Sequence, residues 1–145
     1  MGQGDGQEVA WLDALVDSVR RVHEVMLEMG GGAHGEHTAS LYAACARPFQ
    51  SAFGENIYRD AYEQAAAIFH SIICDHVFVD GNKRTATVMA LEFLGAWSVL
   101  IDDAQADLKL ALLGEVALAT ASGQLDVQNV TAWLRRIFAP EPPTT

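Results

Sequence analysis

No other window of the sequence gathers a histidine, a carboxylate, an amide and two cations as tightly as His76-Val77-Phe78-Val79-Asp80-Gly81-Asn82-Lys83-Arg84-Thr85. Gly81 permits a sharp turn, and helical spacing resumes from Arg84 with Ala86, Met89, Ala90, Phe93 and Leu94 apolar. The amides of Asn82, Lys83 and Arg84 then become the uncommitted first N–H groups of that helix. Such amides bind anions, and the helix macrodipole adds partial positive charge there. Lys83 and Arg84 oppose that dipole at a cost of a few tenths to about 1 kcal/mol each, best explained by an anionic ligand that offsets it. The chemistry this predicts is phosphate binding.

Asp80, beside the turn, can offer an oxygen to Mg2+, which typically binds through one or two carboxylates plus substrate phosphates. His76, four residues earlier, can take a proton from an attacking hydroxyl near neutral pH if its imidazole faces the phosphate. Phe78 reads as a core anchor for the loop, with Val77 and Val79 pointing the other way by alternation. Plainer readings exist: Asp-Gly is a common turn, a histidine after a helix can be a cap, and paired cations can be a solvated face. Clustering favours the chemical reading. His23, His34, His37 and His70 have no metal-ligand spacing and read as structural or solvent-exposed. Cys45 and Cys74 are too far apart for a C-x-x-C motif and read as buried free thiols.

The elements that must position this window are helical. From Glu8 to Met29, Leu12, Leu15, Val16, Val19, Val22, Val25, Met26 and Met29 recur at three- and four-residue intervals, and Gly30-Gly31-Gly32 ends the helix. A second helix is predicted from about Thr38 to Arg47, stopped by Pro48. Residues 48–54 read as a projecting loop or small hairpin whose phenylalanines face one side. Ile57 to Ile73 returns to helical spacing. Further helices are predicted at 84–94, at 104–122 with Asp102 or Asp103 as N-cap, and after Asp126, whose inner face is Val130, Trp133, Leu134, Ile137 and Phe138. The sequence thus specifies an all-α bundle of about six helices with a short flap before the central one. Domain limits are expected at 8–138, with loose ends at 1–7 and 139–145.

Composition bounds the function. The chain has 145 residues, 9 basic and 19 acidic, a net charge of −10, and is 50% hydrophobic. That is a folded domain rather than a disordered chain. Its acidity disfavours direct DNA or anionic-membrane binding. No apolar run long enough to span a bilayer and no signal peptide are evident, so a cytoplasmic location is expected.

The 76–85 window resembles the signature of the Fic/Doc superfamily, His-x-Phe-x-Asp/Glu-Gly-Asn-x-Arg, and Asn82-Lys83-Arg84-Thr85 is similar to its Doc branch. His23, the glycines at 30–32, Ala46-Arg47-Pro48 and Phe53-Gly54 fall where Doc-like chains have comparable features. The resemblance implies that His76 is the catalytic base, Asp80 the Mg2+ ligand, Gly81 the turn, and Asn82, Lys83 and Arg84 the phosphate cradle. It also implies a flap at 48–54, with Phe49, Gln50, Ser51 and Phe53, that aligns a target segment by strand addition. Fic enzymes that transfer AMP usually have glycine where Lys83 stands and a second arginine where Thr87 stands. The Doc branch instead implies transfer of the γ-phosphate of ATP to a hydroxyl of a translation factor such as elongation factor Tu. It implies too an antitoxin partner with a helix-forming tail. The rival readings are a Fic-type nucleotidyltransferase and a non-catalytic helical binding module.

Overall fold

The run Ala65-Ala66-Ala67-Ile68-Phe69, with Ile72 and Ile73, is buried on every side, which a helix achieves only at the centre of a bundle. In the computed structural model, which describes residues 3–140, this segment is the central helix α3 (Ala61–Cys74). It follows α1 (Gln3–Gly30) and α2 (Thr38–Ala46) and precedes α4 (Asn82–Leu94), α5 (Trp97–Asp102), α6 (Ala106–Ala121) and α7 (Val127–Phe138). α3 packs against α4, α7, α2 and α6, and α1 lies across α4. The architecture is all-α, with one antiparallel two-residue-per-strand hairpin, β1 (Ser51–Ala52) and β2 (Glu55–Asn56), among the described residues.

Several boundaries differ from the sequence reading for identifiable reasons. α3 starts at Ala61, not Ile57, because the Asp60 carboxylate caps it by accepting from Glu63 N at 2.9 Å. The segment 97–102 forms its own six-residue helix, too short to show a period. The predicted N-cap Asp103 instead accepts from Gln105 N and pairs with Lys109, and α6 begins beyond it. Asp126 does cap α7, in a reciprocal capping box with Asn129. At the end of α1 the buried face turns to His23 and Leu27, leaving Val25 and Met29 exposed. Residues 3–7, expected to be loose, continue α1 without an apolar period to mark them, while 1–2 and 141–145 lie outside the described residues.

Candidate active site

The predicted loop joins α3 to α4. α3 closes with Asp75 N donating to Ser71 O at 3.0 Å, and the next residue, His76, takes φ +47°. That left-handed position ordinarily falls to glycine. A histidine there costs of order 1–3 kcal/mol and persists only where the surroundings over-determine it. They do: Phe78 and Val77 are buried as anchors, and Asn82 clamps the loop by accepting from Phe78 N at 2.9 Å and donating to Phe78 O at 2.7 Å. The strain turns His76 outward: its imidazole is exposed and has no hydrogen-bond partner among the described residues. The alternation argument places Val77 wrongly, since it is as buried as Phe78; the left-handed residue before it breaks the strand-like register.

Gly81 (φ +83°) is the N-cap of α4, without a side-chain cap, and the first helical bond runs from Thr85 N to Gly81 O at 3.0 Å. The amides of Asn82, Lys83 and Arg84 precede that bond, as predicted. The side chains divide the work differently from the expected cradle. Asn82 spends its amide on Phe78, so only its backbone N–H faces outward chemistry. Arg84 turns back to α1, donating to Met26 O at 2.7 Å and Gly31 O at 2.8 Å, which ties the start of α4 to the end of α1. Lys83 stays exposed. A concavity of about 270 Å³ lined by Met26, Lys83, Arg84, Thr87, Val88 and Leu118 opens between α4 and α6.

Asp80 is fixed from the glycine-rich segment after α1. Ala33 N donates to its Oδ2 at 2.8 Å, while Oδ1 has no partner among the described residues. One free carboxylate oxygen suits a Mg2+ ion shared with phosphates. No cluster of three or more metal-ligating side chains occurs among the described residues. The same segment forms an antiparallel bridge with the loop, His37 N to Val77 O at 2.7 Å and Val79 N to Gly35 O at 3.0 Å. Arg20 holds Glu36 there through two 2.8 Å contacts, and this hydrogen bonding keeps the Glu36 carboxyl below its ordinary pKa.

His23 is the residue the sequence reading undervalued. It is 6% exposed, stacks on Phe78 with ring centroids 3.7 Å apart, and its Nε2 lies 2.7 Å from Asp80 O. One signal pointed to it: a histidine between Val19 and Leu27 on a buried helical face needs a polar partner. His70 instead accepts from Arg47, which also donates to Ser71 and Tyr58 under the flap. Cys45 is buried, its thiol pushed up to about 12 by burial, and Cys74, half-buried, is raised for the same reason; neither is a ready nucleophile.

The flap divides as well. Phe49 packs edge-on to Trp11, centroids 4.8 Å apart, and near Phe93, yet remains 44% exposed, so one edge of its ring rests on the bundle and the rest faces out. Gln50 starts the hairpin, with Ile57 N donating to its carbonyl at 3.0 Å, and Ser51 pairs with Asn56. Phe53, at the tip with φ +54°, is fully exposed. The two rings therefore do not share a side.

The Fic/DOC family model matches residues 11–94, which run from within α1 through the hairpin and the loop to the end of α4. The chain is 37% identical over 92 residues to "Toxin Doc" of Mycolicibacterium smegmatis, covering 63% of this chain and 71% of that protein. It is 26% identical over 117 residues to "Protein kinase doc" of Escherichia phage P1, covering 81% of this chain and 88% of that protein. With a signature loop strained outward at His76 and a family match over more than half its length, the chain belongs to the Fic/Doc family.

Proposed function

We propose that this protein is a Doc-like toxin that transfers the γ-phosphate of ATP to a hydroxyl of a translation factor, elongation factor Tu or one like it, and so arrests growth. The observation that carries this reading is the exposed, unpartnered imidazole of His76, held at φ +47° beside the open N-terminus of α4. The names of the two relatives, a toxin and a protein kinase, agree with it.

His76 takes the proton of the acceptor hydroxyl as its oxygen bonds to the γ-phosphorus and the β–γ bridging P–O bond breaks, releasing ADP. The α4 amides and Lys83 hold the phosphates in line. Mg2+ at Asp80 would neutralise phosphate charge. Thr87 favours this branch over AMP transfer: its hydroxyl donates to Lys83 O at 2.8 Å and offers no second cation for a triphosphate. The hairpin would receive the target segment along its exposed backbone.

An antitoxin is the expected inhibitor, with a tail that folds as a helix. A groove of about 410 Å³ between α1 and α4, with Leu15, Val22, Met89 and Phe93 flanked by Arg21 and Glu92, suits one apolar helical face. No helix among the described residues is long and apolar enough to cross a membrane.

Incubation with ATP labelled on the α- or the γ-phosphate tests the reading. Label should reach a protein target from the γ position only, and His76→Ala should abolish it. Transfer of α label would establish nucleotidyl transfer instead. Undiminished toxicity of His76→Ala would establish a non-catalytic module.

A further inference from the structure

A peptide carbonyl can only accept a hydrogen bond, so the 2.7 Å contact between His23 Nε2 and Asp80 O requires the proton on Nε2. The bond is part-buried, and its donor ring, itself buried, lies nearly parallel to Phe78, at 7°. What it holds is a peptide with a choice. Gly81 has φ +83° and ψ +13°, the values of the second central residue of a type II turn. Rotating the Asp80–Gly81 peptide by half a turn gives the type I alternative, in which that residue has negative φ. Glycine adopts both signs about equally, so Gly81 itself sets no preference.

We infer that His23 is a positioning residue that locks the Asp80–Gly81 peptide in its type II orientation. Gly81 is both the successor of Asp80 and the N-cap of α4. A flip there changes the placement of the Asp80 carboxylate relative to the amides of Asn82, Lys83 and Arg84. Those are the two halves of the Mg2+–phosphate site, and the functional consequence rests on the phosphotransfer reading. His23 and Leu27 border the turn: a Cβ at Gly81 would lie at van der Waals distance, 3.4 Å, from both His23 Cδ2 and Leu27 Cδ2. The His23 ring thus lies beside the turn that its hydrogen bond holds.

The test has three measurements. In the wild-type protein, imidazole 15N shifts should show His23 protonated on Nε2; a neutral ring carrying its proton on Nδ1 alone overturns the proposal. His23→Phe keeps a ring against Phe78 and removes the donor, whereas His23→Gln returns an N–H donor at nearly the same reach. The Asp80 Hα to Gly81 N–H NOE, which reports the orientation of that peptide, should change in His23→Phe and return to the wild-type intensity in His23→Gln. An unchanged NOE in His23→Phe, or no return in His23→Gln, overturns the proposal. Affinity for Mg·ATP should fall about tenfold in His23→Phe, the loss of one hydrogen bond, and recover in His23→Gln. If the wild-type protein binds no Mg·ATP, the phosphotransfer reading fails while the NOE still decides the role of His23.

Discussion

The glycine-rich segment 31–37 and the hairpin segment 50–57 are connectors of similar length that the fold treats in opposite ways. The first gives the signature loop hydrogen bonds from Ala33 and His37, accepts from Val79 and Arg84, and is braced by the Arg20–Glu36 pair. The second is exposed along its whole length, holds itself together by its own strand pair, and lifts Phe53 clear of the protein. On the proposed function the loop acts on a reacting phosphate, which needs placement to a fraction of an ångström, and cross-bracing suits that demand. On the same proposal the hairpin receives another protein's backbone, which needs open donors and acceptors, and an exposed strand pair suits that. The comparison also separates two uses of left-handed backbone: His76 is held there by its surroundings, whereas Phe53 sits there in a turn before Gly54.

The largest expected effect tests the bracing. Gly32 has φ +126°, and a Cβ there would come within 3.0 Å of Leu27 Cδ2 and 3.1 Å of Asp80 Cβ. Gly32→Ala should therefore cost about 2–3 kcal/mol in urea unfolding, backbone strain and overpacking together. A loss below about 0.5 kcal/mol would mean the segment yields easily and is not a brace.

The second effect is on recognition rather than folding. Because the Phe53 ring is fully exposed, Phe53→Ser should leave the urea midpoint unchanged within about 0.5 kcal/mol. Phosphorylation of a protein target should nevertheless fall about tenfold in kcat/KM, with Mg·ATP affinity unaltered. Equal loss of nucleotide affinity would show that the hairpin supports the site instead of the target.

How much of this was legible follows the same division. Helical faces, the Asp126 cap and the open amides before Thr85 follow from period and local chemistry, which the sequence displays directly. What it does not display is direction. Lys83 and Arg84 are adjacent cations, yet one stays in solvent while the other reaches back to the end of α1, because a long side chain can satisfy either demand. Gly30 shows the tertiary reason: a Cβ there would lie 1.9 Å from Arg84 Nη1, so the first of the three glycines accommodates a guanidinium as well as ending a helix. His23 was similarly masked, since its partner is a backbone carbonyl with no sequence signature, 57 residues away.

The smallest effect probes the brace by pH. Arg20 holds Glu36 through two 2.8 Å contacts, and that hydrogen bonding lowers the Glu36 pKa from its ordinary 4.5. A carboxyl with a depressed folded-state pKa contributes stability above its unfolded value and loses it as pH falls through the folded value. The pair should thus be fully effective at neutral pH and weaken as pH drops below about 4.5. Both side chains remain partly exposed, at 37% and 26%, so solvent screening limits the contribution to about 1 kcal/mol. Glu36→Gln should lower stability by that amount at pH 7 and by progressively less toward pH 3, so that the two unfolding curves converge in acid. Parallel curves would place the brace in the backbone bridge between Glu36 and Phe78 alone, which the substitution leaves intact.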